Sequence, residues 1–161
     1  MFEAYDIAWA KYRNGLRIVP VPLISWNFYS MPKSESHDFE NIQRNWTAKV
    51  DYKKNIKNKI VSVLVTDSTL KIVFASHNII TMNGYNPSEV IGKSPKMFQG
   101  IDTSKETRKR ISTAIKERLP FKEVILNYNK TGESYWCEIE AYPKFNATGE
   151  FVNYIAFERI A

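Results

Sequence analysis

Two loops with almost the same lettering, Asn129-Lys130-Thr131-Gly132 and Asn146-Ala147-Thr148-Gly149, separate three β-rich runs at 123–128, 134–142 and 152–159. Polar residues followed by glycine make tight reversals between strands. Parallel neighbours need a crossover of a dozen or more residues, so three strands joined this closely must run antiparallel. Upstream, the apolar runs 60–65 and 71–75 flank Thr66-Asp67-Ser68 and read as another hairpin. Between the two strand groups the texture turns helical. Residues 76–83 end at Gly84, and Asn86-Pro87-Ser88-Glu89 opens a short helix that Gly92 closes. A longer helix is expected from Thr103 or Ser104 to about Arg118, capped by Ser104 and ended by Leu119-Pro120. Its apolar stripe is Ile111, Ala114 and Ile115. The order strand, strand, helices, three strands implies an α+β fold: a five-stranded antiparallel sheet with its helices on one face. Such a layout leaves room for a cavity between sheet and helices.

Residues 1–59 have a different character and are expected to form an extension to the domain at 60–161. Phe2, Tyr5, Trp9 and Tyr12 recur at helical steps, and Gly15 is a natural stop. Val19-Pro20-Val21-Pro22 forces extended chain. A second short helix is expected over 38–46. The Lys- and Asn-rich stretch 49–59 reads as a linker or an exposed helix.

The 161 residues carry a net charge of +6, with lysines and arginines interleaved with acids. The densest run, Lys105-Glu106-Thr107-Arg108-Lys109-Arg110, reads as the solvated face of a helix, which argues against nucleic-acid binding. Cys137 is the single cysteine, so no internal disulfide and no thiolate metal cage can form. A reducing, cytoplasmic compartment is expected. No basic region followed by an apolar run opens the chain, and the stretch 18–24 is broken by prolines and too short to span a bilayer. With no nucleophile beside a base, no metal-ligand spacing and no glycine-rich phosphate loop, the expectation is a non-catalytic module.

Residues 60–161 resemble a PAS domain, and within that superfamily they are most similar to the light-oxygen-voltage branch. The likeness is carried by Val65-Thr66-Asp67, Phe74-Ala75-Ser76-His77-Asn78, Gly84-Tyr85, and Ser88-Glu89-Val90-Ile91-Gly92. It continues through Phe98-Gln99-Gly100, the segment from Leu126 to Gly132, and Tyr135-Trp136. The resemblance implies a sensory module that binds a small molecule or a partner protein and relays a signal through its sheet face. Light-oxygen-voltage domains bind a flavin and bond it to a cysteine in a G-x-N-C-R-F-L-Q-G motif. Here that stretch reads Gly92-Lys93-Ser94-Pro95-Lys96-Met97-Phe98-Gln99-Gly100, with Pro95 at the cysteine position. A proline has no thiol, so the photoadduct is not expected.

The resemblance also implies a set of cofactor-binding positions: Gln99, Asn127, Cys137, Glu158, Ser94 and Lys96. Gln99 and Asn127 match the family. Ser94 and Cys137 each replace an asparagine, Glu158 replaces a glutamine that hydrogen-bonds the flavin ring, and Lys96 and Ser112 replace phosphate-contacting arginines. Each hydrogen bond lost against a buried partner costs about 1–3 kcal/mol, and about 1.4 kcal/mol is a factor of ten in affinity. Flavin binding is therefore expected to be weakened, leaving the ligand unassigned. Each position also has a plainer reading: Gln99 as a helix-end residue, Asn127 as a structural amide, Cys137 as a small buried filler, Glu158 as a solvated strand-end acid. The alternative for the whole domain is a ligand-free dimerisation or docking platform whose pocket is filled by Met97 and Phe98. Trp136 alternates with Cys137 and should point to the outer sheet face, where the N-terminal helix with Trp9 and Tyr12, a second copy or a partner signalling protein would cover it.

Overall fold

A computed structural model of the chain describes residues 35–56 and 61–161, which all lie in one compact unit, Lys33–Ala161. The helix expected around Trp9, the proline segment and the covering role of Trp9 and Tyr12 fall outside the described residues. Five antiparallel strands form one sheet in the order β2-β1-β5-β4-β3, with β1 Ser62–Asp67, β2 Ile72–Ala75, β3 Phe121–Tyr128, β4 Ser134–Phe145 and β5 Phe151–Ile160. This is the α+β arrangement anticipated from the loop pattern.

The two glycine loops close as anticipated, by nearly the same chemistry. Asn129 Oδ1 accepts from the Thr131 and Glu133 amides at 3.0 and 2.9 Å, and Asn146 Oδ1 accepts from those of Thr148 and Glu150 at 3.0 and 2.9 Å. Gly132 and Gly149 sit at φ 88° and 79°, a left-handed backbone that disfavours any residue with a Cβ. The β1–β2 ladder holds an irregularity: Val65 pairs with Phe74, but Thr66 pairs with Ile72, leaving Val73 as the extra residue.

Alternation along the strands gives the sheet two buried faces. On the inner face Leu64, Ile72 and Ala75 pack with Ile79 and Met82 of α3 (Asn78–Asn83), Val90 of α4 (Pro87–Val90) and Phe98. On the outer face Val63, Val65, Phe74 and Ile155 pack with Phe39, Trp46 and Tyr52. Phe39 lies on α1 (Glu35–Ile42), a 3-10 turn follows at Gln43–Asn45, and Tyr52 opens α2 (Tyr52–Ile56). The reading of 49–59 as a linker or exposed helix is thus corrected at Tyr52, whose ring stacks on Phe39 at 4.6 Å. Lysines and asparagines dominate that stretch and hide its single aromatic anchor. Polar ties reinforce the contact. Trp46 Nε1 donates to Asn153 Oδ1 at 2.8 Å, and Glu35 accepts from the His77 amide at 2.8 Å and from the Tyr52 hydroxyl.

Phe39 is 0% exposed and touches Trp46, Tyr52 and Phe74 edge-on or stacked. Its truncation leaves a cavity between α1 and the sheet. Phe39→Ala is expected to lower stability by about 3–5 kcal/mol in urea unfolding, whereas a freely hanging extension would show no change.

Candidate functional site

The inner face is packed at one end and open at the other. Over β1 and β2 the helices α3 and α4 close onto the sheet; over β3, β4 and β5 lies the longest helix, α5 (Lys105–Lys116). Ser104 caps it by accepting from the Thr107 amide at 3.3 Å. The apolar stripe Ile111 and Ile115 faces the sheet but remains half-buried, because α5 stands off and encloses a cavity of about 490 Å³. Polar struts keep it in place. Arg110 grips Glu123 of β3 with two hydrogen bonds of 2.7 and 2.8 Å, and the Tyr154 hydroxyl of β5 donates to the Ala114 and Leu119 carbonyls at 3.2 and 3.1 Å.

The remaining wall comes from the loop before α5. Pro95 starts a 3-10 turn, Pro95–Phe98, that Ser94 caps by accepting from the Lys96 amide at 3.4 Å. Gln99 leaves the turn in extended conformation. Gly100 then passes so close to the Tyr128 ring that a Cβ would lie 2.3 Å from it. Tyr128 is held by donating to Asp102 Oδ2 at 2.7 Å, and Thr103 Oγ1 donates to the Leu126 carbonyl at 2.8 Å. The Phe98-Gln99-Gly100 stretch is therefore fastened to β3, and that fastening sets where Gln99 sits.

Five of the six expected positions, Ser94, Lys96, Gln99, Asn127 and Glu158, line this one cavity, and so does Pro95. Cys137 does not line it; the thiol is fully buried in β4 beside it. Burial, then the nearby Glu158 carboxylate, pushes that thiol well above its ordinary value, so it stays protonated. Phe98 is buried and borders the cavity, and Met97 packs beside it, yet neither fills the space. The basic run on α5 is corrected from a wholly solvated face: Lys105, Arg108 and Lys109 line the cavity, while Arg110 pairs with Glu123. The one-turn spacing of Arg108 with Ile111 and Ser112, and of Ser112 with Ile115, places them on one face, a signal that the charge pattern alone hides.

Glu158 is not the solvated strand-end acid of the plainer reading. It is 4% exposed, and its Oε2 has no hydrogen-bond partner. Burial raises its carboxyl from 4.5 to about 7. On the opposite face Trp136 points outward as expected and is 55% exposed, with Val124 exposed nearby. Among the described residues no cluster of three or more His, Cys, Asp or Glu side chains could hold a metal ion, and no helix is long and apolar enough to cross a membrane.

A five-stranded antiparallel sheet with helices over its inner face is the architecture of sensory signalling domains. The profile of the PAS domain family matches residues 60–159, and the chain belongs to that family. Protein TWIN LOV 1 of Arabidopsis thaliana is 36% identical over 88 residues, 54% of this chain and 22% of that protein. Phototropin-2 of Oryza sativa is 32% identical over 98 residues, 59% of this chain and 11% of that protein. The chain thus spans about a fifth or less of the length of these relatives. Among solved structures, a light-oxygen-voltage domain studied with a flavin analogue superposes with a TM-score of 0.63 at 25% identity, covering 69% of this chain and 86% of that one. The PAS domain of the fruit-fly ELK potassium channel gives 0.60 at 19%, covering 66% and 91%, and shares the fold alone.

No thiol lines the cavity; Pro95 stands in its 3-10 turn, and Glu158 Oε2, without a hydrogen-bond partner, lies on its floor.

Below its ordinary value of 4.5 the Glu158 carboxyl is protonated whether the chain is folded or not. Between 4.5 and about 7 only the folded state holds the proton, so stability falls as pH rises through that window and stays lower above it. Glu158→Gln removes this loss. The variant is expected to be about 3 kcal/mol more stable than the parent near pH 8 and nearly equal near pH 4, as measured by urea unfolding at both.

Proposed function

We propose that this PAS domain is a non-catalytic sensor that holds a small organic molecule between α5 and the sheet. Occupancy is relayed through the sheet to whatever rests on its outer face, and no covalent bond to a cysteine takes part. The observation that carries this reading is the cavity of about 490 Å³, within the usual range for small-molecule sites, against which Ile111 and Ile115 stay only half-buried. An apolar helix stripe left unpacked forfeits hydrophobic stabilisation that a ligand of matching shape restores.

The exposed outer face around Trp136 favours a complementary role in docking. Large exposed aromatic side chains on a sheet mark contact surfaces, whether for a second copy or for a signalling partner. The two roles are linked through single strands: on β4, Cys137, Ile139 and Ala141 point inward while Trp136, Glu138 and Tyr142 point outward. A ligand that shifts β4 moves both faces together.

Ala156 lines the cavity from β5, and a larger side chain there occupies its space. Binding of the dye anilinonaphthalene sulfonate, followed by fluorescence, is expected for the parent and at least tenfold weaker for Ala156→Leu. Equal binding by both would place the dye elsewhere and refute the cavity reading. Protein mixed with flavin mononucleotide and illuminated with blue light is expected to keep an unchanged flavin spectrum. Light-driven bleaching that survives denaturation would overturn the non-covalent half of the proposal.

A further inference from the structure

The cavity is chemically polarised from floor to rim. Among the described residues three buried side-chain atoms lack a hydrogen-bond partner: Ser62 Oγ, Thr66 Oγ1 and Glu158 Oε2. All three lie on the inner face of the β1–β5 ladder, where Ser62 pairs with Glu158 and Thr66 with Tyr154. Thr66 and Glu158 line the cavity itself. Unpartnered buried polar atoms are rare in folded proteins, and a group of them facing a cavity marks where a ligand's own polar atoms belong. No cation compensates Glu158: burial is the sole influence on its carboxyl. Above about pH 7 the group is an ionised carboxylate, which accepts hydrogen bonds and cannot donate them, so there the floor calls for a donor.

The rim has the opposite character. Lys96, Lys105, Arg108 and Lys109 border the cavity, and none has an acidic group within ion-pairing distance among the described residues. Elsewhere on the domain Arg110, Lys122, Lys130 and Arg159 are each paired with a glutamate. Between floor and rim the walls are aliphatic, with Ile111 and Ile115 facing Ile125 and Ile139.

We propose that the cavity selects an apolar organic acid that presents an N–H donor to Glu158 at its inner end and its anionic group to the basic rim at its outer end. This rests on the reading that the cavity holds a small molecule, and it adds which molecules are accepted. Once Glu158 is ionised, a ligand whose inner end carries only acceptors faces the carboxylate lone pairs and is rejected. A ligand with a cationic outer end meets four uncompensated positive side chains.

A fluorescent carbazole carrying a propionate arm has the required layout: one ring N–H, a flat apolar body and a carboxylate. Its N-methyl derivative lacks only the donor, and its propionamide lacks only the charge. Titrated into the full chain near pH 8, where Glu158 is ionised, the parent compound is expected to bind at least tenfold more tightly than the N-methyl form, in keeping with a hydrogen bond to a charged acceptor. In Glu158→Leu that ratio is expected to fall close to one, and in Glu158→Gln, which keeps an acceptor oxygen and the side-chain shape, to narrow several-fold. Arg108→Glu is expected to weaken the acid and leave the amide unchanged. Equal binding of the N–H and N-methyl forms to the parent protein, or a ratio unaltered in both Glu158 variants, overturns the donor selection while leaving the cavity reading intact. Failure of all three compounds and of the naphthalene dye to bind overturns both.

Discussion

The domain depends on a helix being held above a sheet without packing on it. The paired hydrogen bonds from Arg110 to Glu123, and those from the Tyr154 hydroxyl to the carbonyls of Ala114 in α5 and of Leu119 just past its end, act as struts across the gap. Hydrophobic burial by itself would draw Ile111 and Ile115 down onto Ile125 and Ile139, since close packing is the lower-energy outcome for apolar surfaces. The struts and the short loops around α5 oppose that collapse. The cavity is therefore a consequence of directional polar bonds set against a non-directional force.

The rest of the molecule supplies the rigidity this requires. Phe39, Trp46 and Tyr52 seal the outer face of β1 and β5, so the central strands are buried on both sides, as their apolar runs demand. The inner cluster of Ile79, Met82, Val90 and Phe98 closes the other end of the inner face. The open space is left where the sheet broadens into β3 and β4. Unmet bonding gathers around it too: the unpartnered oxygens of Thr66 and Glu158, a raised carboxyl and an exposed basic rim. Such a concentration of unsatisfied groups costs stability and is tolerated at functional sites.

Much of the architecture could be read from local chemistry. The repeated Asn-x-Thr-Gly loops, the Ser104 cap and the Pro87 helix start each act within a few residues, and each appears where its local pattern placed it. What escaped was of a different kind. Tyr52 is buried only because Phe39 and Phe74 meet it, and the basic run on α5 faces a cavity only because the helix is propped off the strands.

Sequence alone settled the order of strands and helices, their antiparallel sense, and that Pro95 can supply no thiol, because turn geometry and covalent identity are properties of neighbours along the chain. Tertiary structure decided which side chains share a space. It gathered Ser94, Lys96, Gln99, Asn127 and Glu158 around one cavity, left Cys137 just outside it, and withdrew Glu158 from water. Burial and orphaned hydrogen bonds are set by whatever packs from distant elements, and no local pattern encodes that.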